Sequence, residues 1–395
     1  MNCYLSDLGL VNALGASPEE VWARLIAGET GLTPCDWIPG RTTYTAPVTA
    51  VLRELPESLS RFQSRNARLA LTAVAPLEGR VAELVGRYGQ QRIAVVAGTS
   101  TSGIARGEDA VRQARNEGTA PGHYHYSQQE IGNLAECLAH YLSLSGPAYT
   151  LSTACSSSAH ALGSARRLLA SGQADAVIAG GADSLCRLTL NGFSALESVD
   201  AKPCTPFSGN RAGINIGEAS AFFIVTKEAV AGGEPIGLLG VGASSDAYHI
   251  SAPEPDGRGA ESAIRQALTQ ASLGPGDVDY INLHGTATRL NDQMESRVVA
   301  RVFGDRVPCS SSKGQLGHTL GAAGATEAAL CWLALSRYNN TGQLPPHVWD
   351  GQYDPELASL NLVTEGRSTA ESRYCLSNSF AFGGNNAAVL LGTIQ

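Results

Sequence analysis

The sequence predicts an α/β fold made of two similar halves, and three features of the chain support this prediction. The stretch from Ala148 to Gln173 has the pattern of a β-favouring strand, a short Cys/Ser turn and an Ala-rich helix. A weaker copy of this strand–turn–helix unit begins at Val307. A Gly-rich strand closes each half, beginning at Gly213 and at Ser379. Repetition of one supersecondary unit is typical of two related halves.

The boundary between the halves falls in the Gly- and Pro-containing segment 232–235, which gives residues 1–232 and 233–395. Of the 395 residues, 43% are hydrophobic and 16% are charged, so the chain can bury a large core. The net charge of -8 disfavours nucleic acid as a partner. No stretch approaches the ~20 apolar residues of a membrane-spanning helix. The nine cysteines show no CxxC or CxxH spacing, which predicts reduced thiols, no metal site and a cytoplasmic location.

The first half begins with a helical pattern over residues 59–77 that carries three arginines. Arg61, Arg65 and Arg68 stand at positions i, i+4 and i+7, which places them on one face of a continuous helix. A charged helical face is most often simply solvated. In an acidic chain, such a face is also the best visible docking site for an acidic partner.

Cys155 stands between the predicted strand at 148–153 and the helix that follows it. At a helix N-terminus, unpaired N–H groups and the positive end of the helix dipole favour a thiolate. The next residues, Ser156 to Ser158, are of a type that caps helices. The apolar runs 92–98 and 175–181 predict further buried strands in the same half. Most cysteines are packing residues, but this position makes Cys155 a candidate nucleophile.

Two histidines of the second half lie in unusual settings. His284 ends the predicted strand DYINLH and opens a Gly/Thr turn, and His318 lies in the Gly-rich segment KGQLGHTLGAAG. Lys313 precedes His318 in apolar, Gly-rich surroundings, where a buried ammonium group needs a partner. Glu327 is the natural candidate for that partner.

Four ordered motifs resemble those of β-ketoacyl-acyl-carrier-protein synthases of the thiolase superfamily: TACSSS, HGTAT with NDQME, SSKGQLGHTLGAAG and SNSFAFGGNN. The resemblance is to the elongating kind, which has a cysteine and two histidines in its active site, and it covers nearly the whole chain. It implies a thiolase-like fold, in which two similar halves form a five-layer αβαβα sandwich. It implies a dimeric enzyme without a cofactor.

By this resemblance, Cys155 accepts the acyl chain as a thioester, and His284 and His318 bind the malonyl thioester and promote its decarboxylation. Backbone N–H groups of Cys155 and Phe382 form the oxyanion hole for the acyl thioester. Lys313 with Glu327 sets the electrostatics of the site. Four residues are implied to contact substrate: Thr286, Thr288, Phe380 and Phe382.

The resemblance also implies the partners. Acyl- and malonyl-loaded acyl carrier protein would deliver the substrates in fatty acid or polyketide chain elongation. The helix that carries Arg61, Arg65 and Arg68 contributes to carrier-protein docking in the family. The subunit partner is either a second copy of the chain or a homologous chain-length subunit.

Several residues depart from the usual family pattern, and the departures are most similar to ketosynthases of aryl-polyene clusters. Alanine replaces glycine in three motifs, serine and alanine replace aspartates in PFSGNRAG, and asparagine replaces threonine near the C-terminus. These residues are Ala219, Ala287, Ala381, Ser208, Ala212 and Asn385.

Three alternatives to an elongating synthase fit the sequence less well. A thiolase acting on acyl-CoA would normally carry a second catalytic cysteine near the C-terminus, where this chain has SFAFGGNN. An initiating, CoA-primed synthase resembles a Cys-His-Asn enzyme, whereas His318 occupies the third position here. A catalytically silent chain-length subunit usually lacks the nucleophile that Cys155 provides.

Overall fold

Strands and helices alternate along most of the chain in the computed structural model, which describes residues 3–38, 40, 42–363 and 372–394. The ends of the two predicted halves, residues 1, 2 and 395, lie outside the described residues. The strands are β1 (Tyr4–Val11), β2 (Thr33–Cys35), β3 (Thr43–Ala46), β4 (Ile93–Gly98), β5 (Ala148–Leu151), β6 (Ala176–Asp183), β7 (Ile216–Gly217), β8 (Ala219–Thr226), β9 (Ile236–Ser245), β10 (Tyr280–Asn282), β11 (Pro308–Ser310), β12 (Asn361–Leu362), β13 (Tyr374–Phe380) and β14 (Asn385–Thr393). The α-helices are α1 (Pro18–Ile26), α2 (Arg65–Val74), α3 (Glu78–Tyr88), α4 (Ile104–Glu117), α5 (Asn133–Tyr141), α6 (Ser157–Ala170), α7 (Arg187–Ala195), α8 (Arg258–Ala271), α9 (Arg289–Phe303), α10 (Lys313–Leu316) and α11 (Ala323–Leu335).

Eleven of the described strands form one continuous sheet, whose two parts, the first and the second sheet, meet at one residue pair, and β2, β3 and β7 form a separate three-stranded sheet. The first half has the order β5-β4-β6-β8-β1, and the second has β12-β11-β10-β13-β14-β9. The sheets join where Tyr4 of β1 pairs with Gly237 of β9. Each half therefore mixes parallel strands with an antiparallel pair, as in β4 with β6 and β6 with β8.

Helices cover both faces of both sheets and give five layers. Helices α6 and α11 pack against each other between the sheets, and their buried residues belong to one central core. Helices α2 and α5 cover the outer face of the first sheet, and α8 and α9 cover that of the second. The prediction of a thiolase-like αβαβα sandwich is confirmed. The division at residues 232/233 stays a prediction; the chain passes there from β8 to β9.

The predicted strands 92–98 and 175–181 are present as fully buried β4 and β6. The strand before Cys155 was expected to be buried, but β5 is half-exposed. The reason is its place at the edge of the sheet, where it pairs only with β4 among the described strands. No helix of the described residues is long and apolar enough to cross a membrane.

The prediction of one helix over residues 59–77 was wrong. A 3₁₀ turn at Glu57–Phe62 ends before α2 begins, and Ser64 caps α2 by accepting a hydrogen bond from the N–H of Ala67 at 3.1 Å. Serine in an extended conformation is a strong N-cap, and here it starts a new helix. Arg61 therefore lies on a different element from Arg65 and Arg68.

Candidate active site

Cys155 lies on a sharp turn between β5 and α6, as the sequence predicted. Ala154 has a φ of 52°, a left-handed conformation that costs a residue with a Cβ about 1 kcal/mol or more. Glycines let the neighbouring elements pack closely on α6; a Cβ on Gly98 would lie 2.4 Å from the backbone N of Ser158. The expected capping role of the serines is not observed for Ser156, which donates instead to the carbonyl of Thr153 at 2.9 Å.

The fold brings Cys155, His284 and His318 together, although they come from three distant parts of the chain. Sγ of Cys155 lies 3.0 Å from Nε2 of His318, and one donor atom from each of the three residues lies within 4.8 Å of the others. The two imidazole rings meet edge to face with centroids 5.3 Å apart. All three residues are at least nine-tenths buried.

The hydrogen bonds behind the histidines set which ring nitrogen carries the proton. Nδ1 of His318 accepts the N–H of Leu320 at 3.3 Å, so the proton of the neutral ring is on Nε2. Nδ1 of His284 lies 3.5 Å from Nζ of Lys313, which can only donate, so Nε2 of His284 carries its proton too. Burial and the charge of Lys313 lower the pKa of both histidines well below the usual 6.5. Both rings are therefore neutral hydrogen-bond donors at neutral pH.

Lys313 forms the expected buried ion pair with Glu327. Its Nζ also donates to the carbonyl of His284 at 2.5 Å. Burial raises the pKa of Glu327 to about 7, and Lys313 opposes that rise. The pair thus places a cation behind the histidines. Cysteine and histidine are ligand types that zinc accepts, but the adjacent Lys313 charge disfavours a dication there.

The thiol of Cys155 is less acidic than its helix position alone suggests. Burial raises the pKa of Cys155 to about 11, while Lys313 and the backbone N–H of Phe382 lower it. The sequence argument considered the helix N-terminus and not the desolvation of the charged sulfur. The resting group is accordingly a thiol, and its proton must leave before or during acyl transfer.

A cavity of about 450 Å³ opens onto Cys155 and both histidines. Its walls include all four residues that the resemblance implied as substrate contacts, and they are Thr286, Thr288, Phe380 and Phe382. The hydroxyl groups of Thr286 and Thr288 lie 2.8 Å apart. The cavity therefore combines apolar walls with a few polar groups close to the nucleophile, as small-molecule sites usually do.

Comparison with known proteins identifies the family of this chain. Residues 8–231 match the β-ketoacyl synthase N-terminal domain, and residues 237–348 match the β-ketoacyl synthase C-terminal domain. The chain belongs to the β-ketoacyl synthase family. It is accordingly a β-ketoacyl-acyl-carrier-protein synthase, an acyltransferase of fatty acid or polyketide elongation.

Individual relatives of this synthase align with different fractions of its length. The 3-oxoacyl-acyl-carrier-protein synthase 1 of Haemophilus influenzae is 31% identical over 98% of this chain and 97% of that protein. The corresponding synthase 2 of Rhizobium meliloti is 38% identical over 63% of this chain and 61% of that protein. A ketosynthase (ApeO) from Xenorhabdus doucetiae, solved in complex with its chain length factor (ApeC), is 46% identical, with a TM-score of 0.94, over 100% of this chain and 98% of that one.

The segment around Phe382 forms one wall of the synthase cavity. The ring of Phe382 packs on Phe193 of α7 with centroids 5.5 Å apart. Gly383 and Gly384 have positive φ, whereas Ala381 does not. In this conformation, the alanine at 381 therefore carries no left-handed strain.

Three other departures from the family pattern have visible consequences. Ala287 is fully buried with a φ of 64°, so it occupies a position that favours glycine. Ser208 donates to a carboxylate oxygen of Asp350 at 2.8 Å, and Ala212 lines the cavity. Nothing in the structure explains the alanine at 219, which is buried in β8.

The three predicted docking arginines do not form one free basic stripe. Each pairs with an acidic residue, and Arg65 holds the fully buried carboxylate of Glu218. Arg61 is the most exposed of the three. The docking role stays a prediction, and the geometry favours Arg61 for it.

Sequence reasoning missed three buried residues that support the catalytic groups. Glu295 accepts the backbone N–H groups of His284 and Gly285 at 2.8 and 2.7 Å. His347 accepts the N–H of Ser311 at 3.1 Å. Asp183 ends β6 beside the His318 turn. A polar residue at the end of a buried strand was the available signal for Asp183.

Proposed function

We propose that this synthase condenses an acyl group on Cys155 with a malonyl group borne by acyl carrier protein. The observation that carries the proposal is the cluster of one thiol and two neutral imidazole donors that line one cavity. A nucleophile can accept the acyl group, and two N–H donors can stabilise the negative charge that develops on a thioester oxygen.

In the first step, the sulfur of Cys155 attacks the carbonyl carbon of the acyl thioester. The bond to the carrier's sulfur breaks, and the proton of the Cys155 thiol leaves with the carrier thiol. The oxygen of the tetrahedral intermediate would accept hydrogen bonds from the N–H groups of Cys155 and Phe382. The contact of the Phe382 N–H with the sulfur supports this position.

In the second step, the malonyl thioester loses CO₂, and the electron pair of the broken C–C bond forms an enolate. His284 and His318 donate from Nε2 to the enolate oxygen. The enolate carbon then attacks the acyl carbonyl, and expulsion of the Cys155 sulfur releases a 3-oxoacyl thioester on the carrier. The expelled thiolate takes up a proton from water, which restores the resting thiol. Lys313 keeps His284 neutral and oriented by its contacts at Nδ1 and the backbone carbonyl.

We propose further that the subunit partner is a homologous chain-length subunit and that the pathway makes an aryl polyene. The neighbour from Xenorhabdus doucetiae was solved with its chain length factor. The edge strand β5 pairs on one side only among the described strands, so its free edge suits a partner. The scattered, reduced cysteines favour a cytoplasmic location.

The test measures two half-reactions separately. Acyl loading is followed by intact-protein mass, and decarboxylation by conversion of malonyl- to acetyl-carrier protein. Cys155→Ala should abolish loading, whereas His284→Ala and His318→Ala should still load but lose about 10²–10³ in decarboxylation. Cys137→Ala, a buried cysteine of the outer core, is the matched control.

Loading that persists in Cys155→Ala would contradict the nucleophile assignment. A parent protein that neither loads nor decarboxylates would favour the silent chain-length subunit. Acyl-CoA substrates that outperform carrier-bound ones would favour thiolase chemistry.

A further inference from the structure

A buried carboxylate of the first half gathers an unusual number of hydrogen bonds beside the catalytic cavity. Asp183 is fully buried at the end of β6. Its oxygens accept from the hydroxyl groups of Thr99, Ser100 and Thr101 at 2.6, 2.6 and 2.8 Å. They also accept the backbone N–H groups of Ser100, Thr101 and Gly321. Such a set of donors suits an ionised carboxylate, which can only accept.

The bond to Gly321 crosses from the first half of the chain to the second. The N–H of Gly321 donates to Oδ2 of Asp183 at 2.6 Å. A Cβ at this glycine would lie 2.5 Å from the backbone N of Ser100, so only glycine allows the approach. Asp183 thereby ties the turn after His318 to the loop at residues 99–101.

The same turn fixes the proton of His318. Leu320 has a φ of 52°, a left-handed conformation that disfavours leucine. In this conformation, its N–H points to Nδ1 of His318 at 3.3 Å. A strained residue persists only where neighbouring contacts hold it, and Gly321 is the adjacent anchor.

We infer that Asp183 is a positioning residue that holds the 318–321 turn so that His318 presents Nε2–H to the malonyl thioester. The inference rests on the proposed function of His318 as a hydrogen-bond donor. Without the carboxylate, the turn can relax, Leu320 can leave its left-handed conformation, and Nδ1 loses its donor. His318 then samples both tautomers and loses its orientation.

The main test is Asp183→Asn, which replaces one acceptor oxygen by an N–H₂ group of similar size. Malonyl decarboxylation should fall by about 10- to 100-fold, because small misplacements of a catalytic donor have effects of that size. Acyl loading on Cys155 should change by less than about threefold, since it does not use the His318 donor. The matched control is Asp279→Asn, which also loses bonds to two backbone N–H groups, those of Arg373 and Tyr374.

A second pair of variants separates positioning from a merely structural role. Leu320→Gly in the Asp183→Asn background should recover most of the lost decarboxylation rate. Glycine adopts the left-handed conformation without steric strain, so it does not need neighbouring contacts to keep it there. Ser100→Ala removes one hydroxyl that contacts both Asp183 and the N–H of Gly321. It should lower decarboxylation mildly while loading stays unchanged, and it serves as the test if Asp183→Asn does not fold.

A readout without substrate completes the test. Ring ¹⁵N spectra of histidine-labelled protein, with His318 assigned through His318→Ala, should show the Nε2–H tautomer in the parent and mixed tautomers in Asp183→Asn. Unchanged tautomer and unchanged decarboxylation in Asp183→Asn, or in Ser100→Ala if the former is unfolded, would overturn the inference. A parent that fails to decarboxylate but shows the expected tautomer change would count against the proposed function alone.

Discussion

Replacement of Lys313 by methionine tests the electrostatic support of the site most directly. Lys313 is 1% exposed, pairs with Glu327 and donates to the carbonyl of His284. Methionine keeps the length and apolar stem of the side chain and removes only the cation. The change thus leaves a buried carboxylate without its partner.

The expected loss of stability follows from burial. Removal of one member of a buried ion pair typically costs about 3–5 kcal/mol in unfolding free energy. Because Lys313 lowers the pKa of Glu327, its loss should raise that pKa above the present value of about 7. A carboxyl group with a raised folded pKa destabilises the protein as pH rises through that pKa, so the deficit of the variant relative to the parent should grow as the pH rises above about 7.

Catalysis should respond differently from stability. Without Lys313, Nδ1 of His284 loses the adjacent cation, and the pKa of Cys155 rises further. Both acyl loading and decarboxylation should fall. The double variant Lys313→Met/Glu327→Gln removes both charges of the pair, so it should regain most of the stability but little of the decarboxylation.

The assay combines urea unfolding at several pH values with the two half-reactions. Full recovery of decarboxylation in the double variant would refute the reasoning, because Lys313 would then serve only to neutralise Glu327. Destabilisation below about 1 kcal/mol in Lys313→Met, independent of pH, would show that the pair is not energetically coupled.

Other predictions concern groups outside this pair. Burial lowers the pKa of His347 from 6.5 to about 4, so acidification from about pH 6.5 to about pH 4 should cost the parent about 3 kcal/mol of unfolding free energy. His347→Gln should keep that part of the unfolding free energy, and urea unfolding at both pH values measures the difference. Ala381→Gly should lower stability by about 0.4–1 kcal/mol and leave acylation rates across chain lengths unchanged; broader acceptance would reveal a second conformation with positive φ. Arg61→Glu should raise KM for carrier-bound substrates and weaken the salt dependence of KM at unchanged stability. Arg65→Gln should instead lower Tm, because Glu218 loses its partner. Equal KM values for Arg61→Glu and the parent would show that Arg61 is not part of the docking surface.

The sequence allowed the fold and the catalytic cluster to be predicted where the signal is local. The strand, elbow and helix around Cys155 follow from a change of hydrophobic period within about 25 residues. The helix break at Ser64 could also have been predicted, because serine before a helical run is an N-cap signal. The helical periodicity on both sides of it concealed that break.

Properties that depend on burial could not be predicted in the same way. The pKa of Cys155 combines a helix terminus, which is visible in the sequence, with desolvation by residues from both halves, which is not. The partner of Arg65 is equally remote, since Glu218 lies in another part of the first half. A charged residue in a helical pattern does not reveal whether its partner is water or a buried carboxylate.

The arrangement of the two halves explains why the catalytic residues could be predicted from the sequence and the supporting residue Asp183 could not. Cys155 and His318 each sit at an elbow that its own half encodes, so each leaves a motif in the sequence. Asp183 acts across the boundary, from the end of β6 to the turn before α11, and its donors are spread over residues 99–101 and 321. Because Asp183 connects the turns of both halves, it is part of neither the Cys155 motif nor the His318 motif. Its position can be recognised only when the central helices α6 and α11 have packed together and brought the two turns into contact.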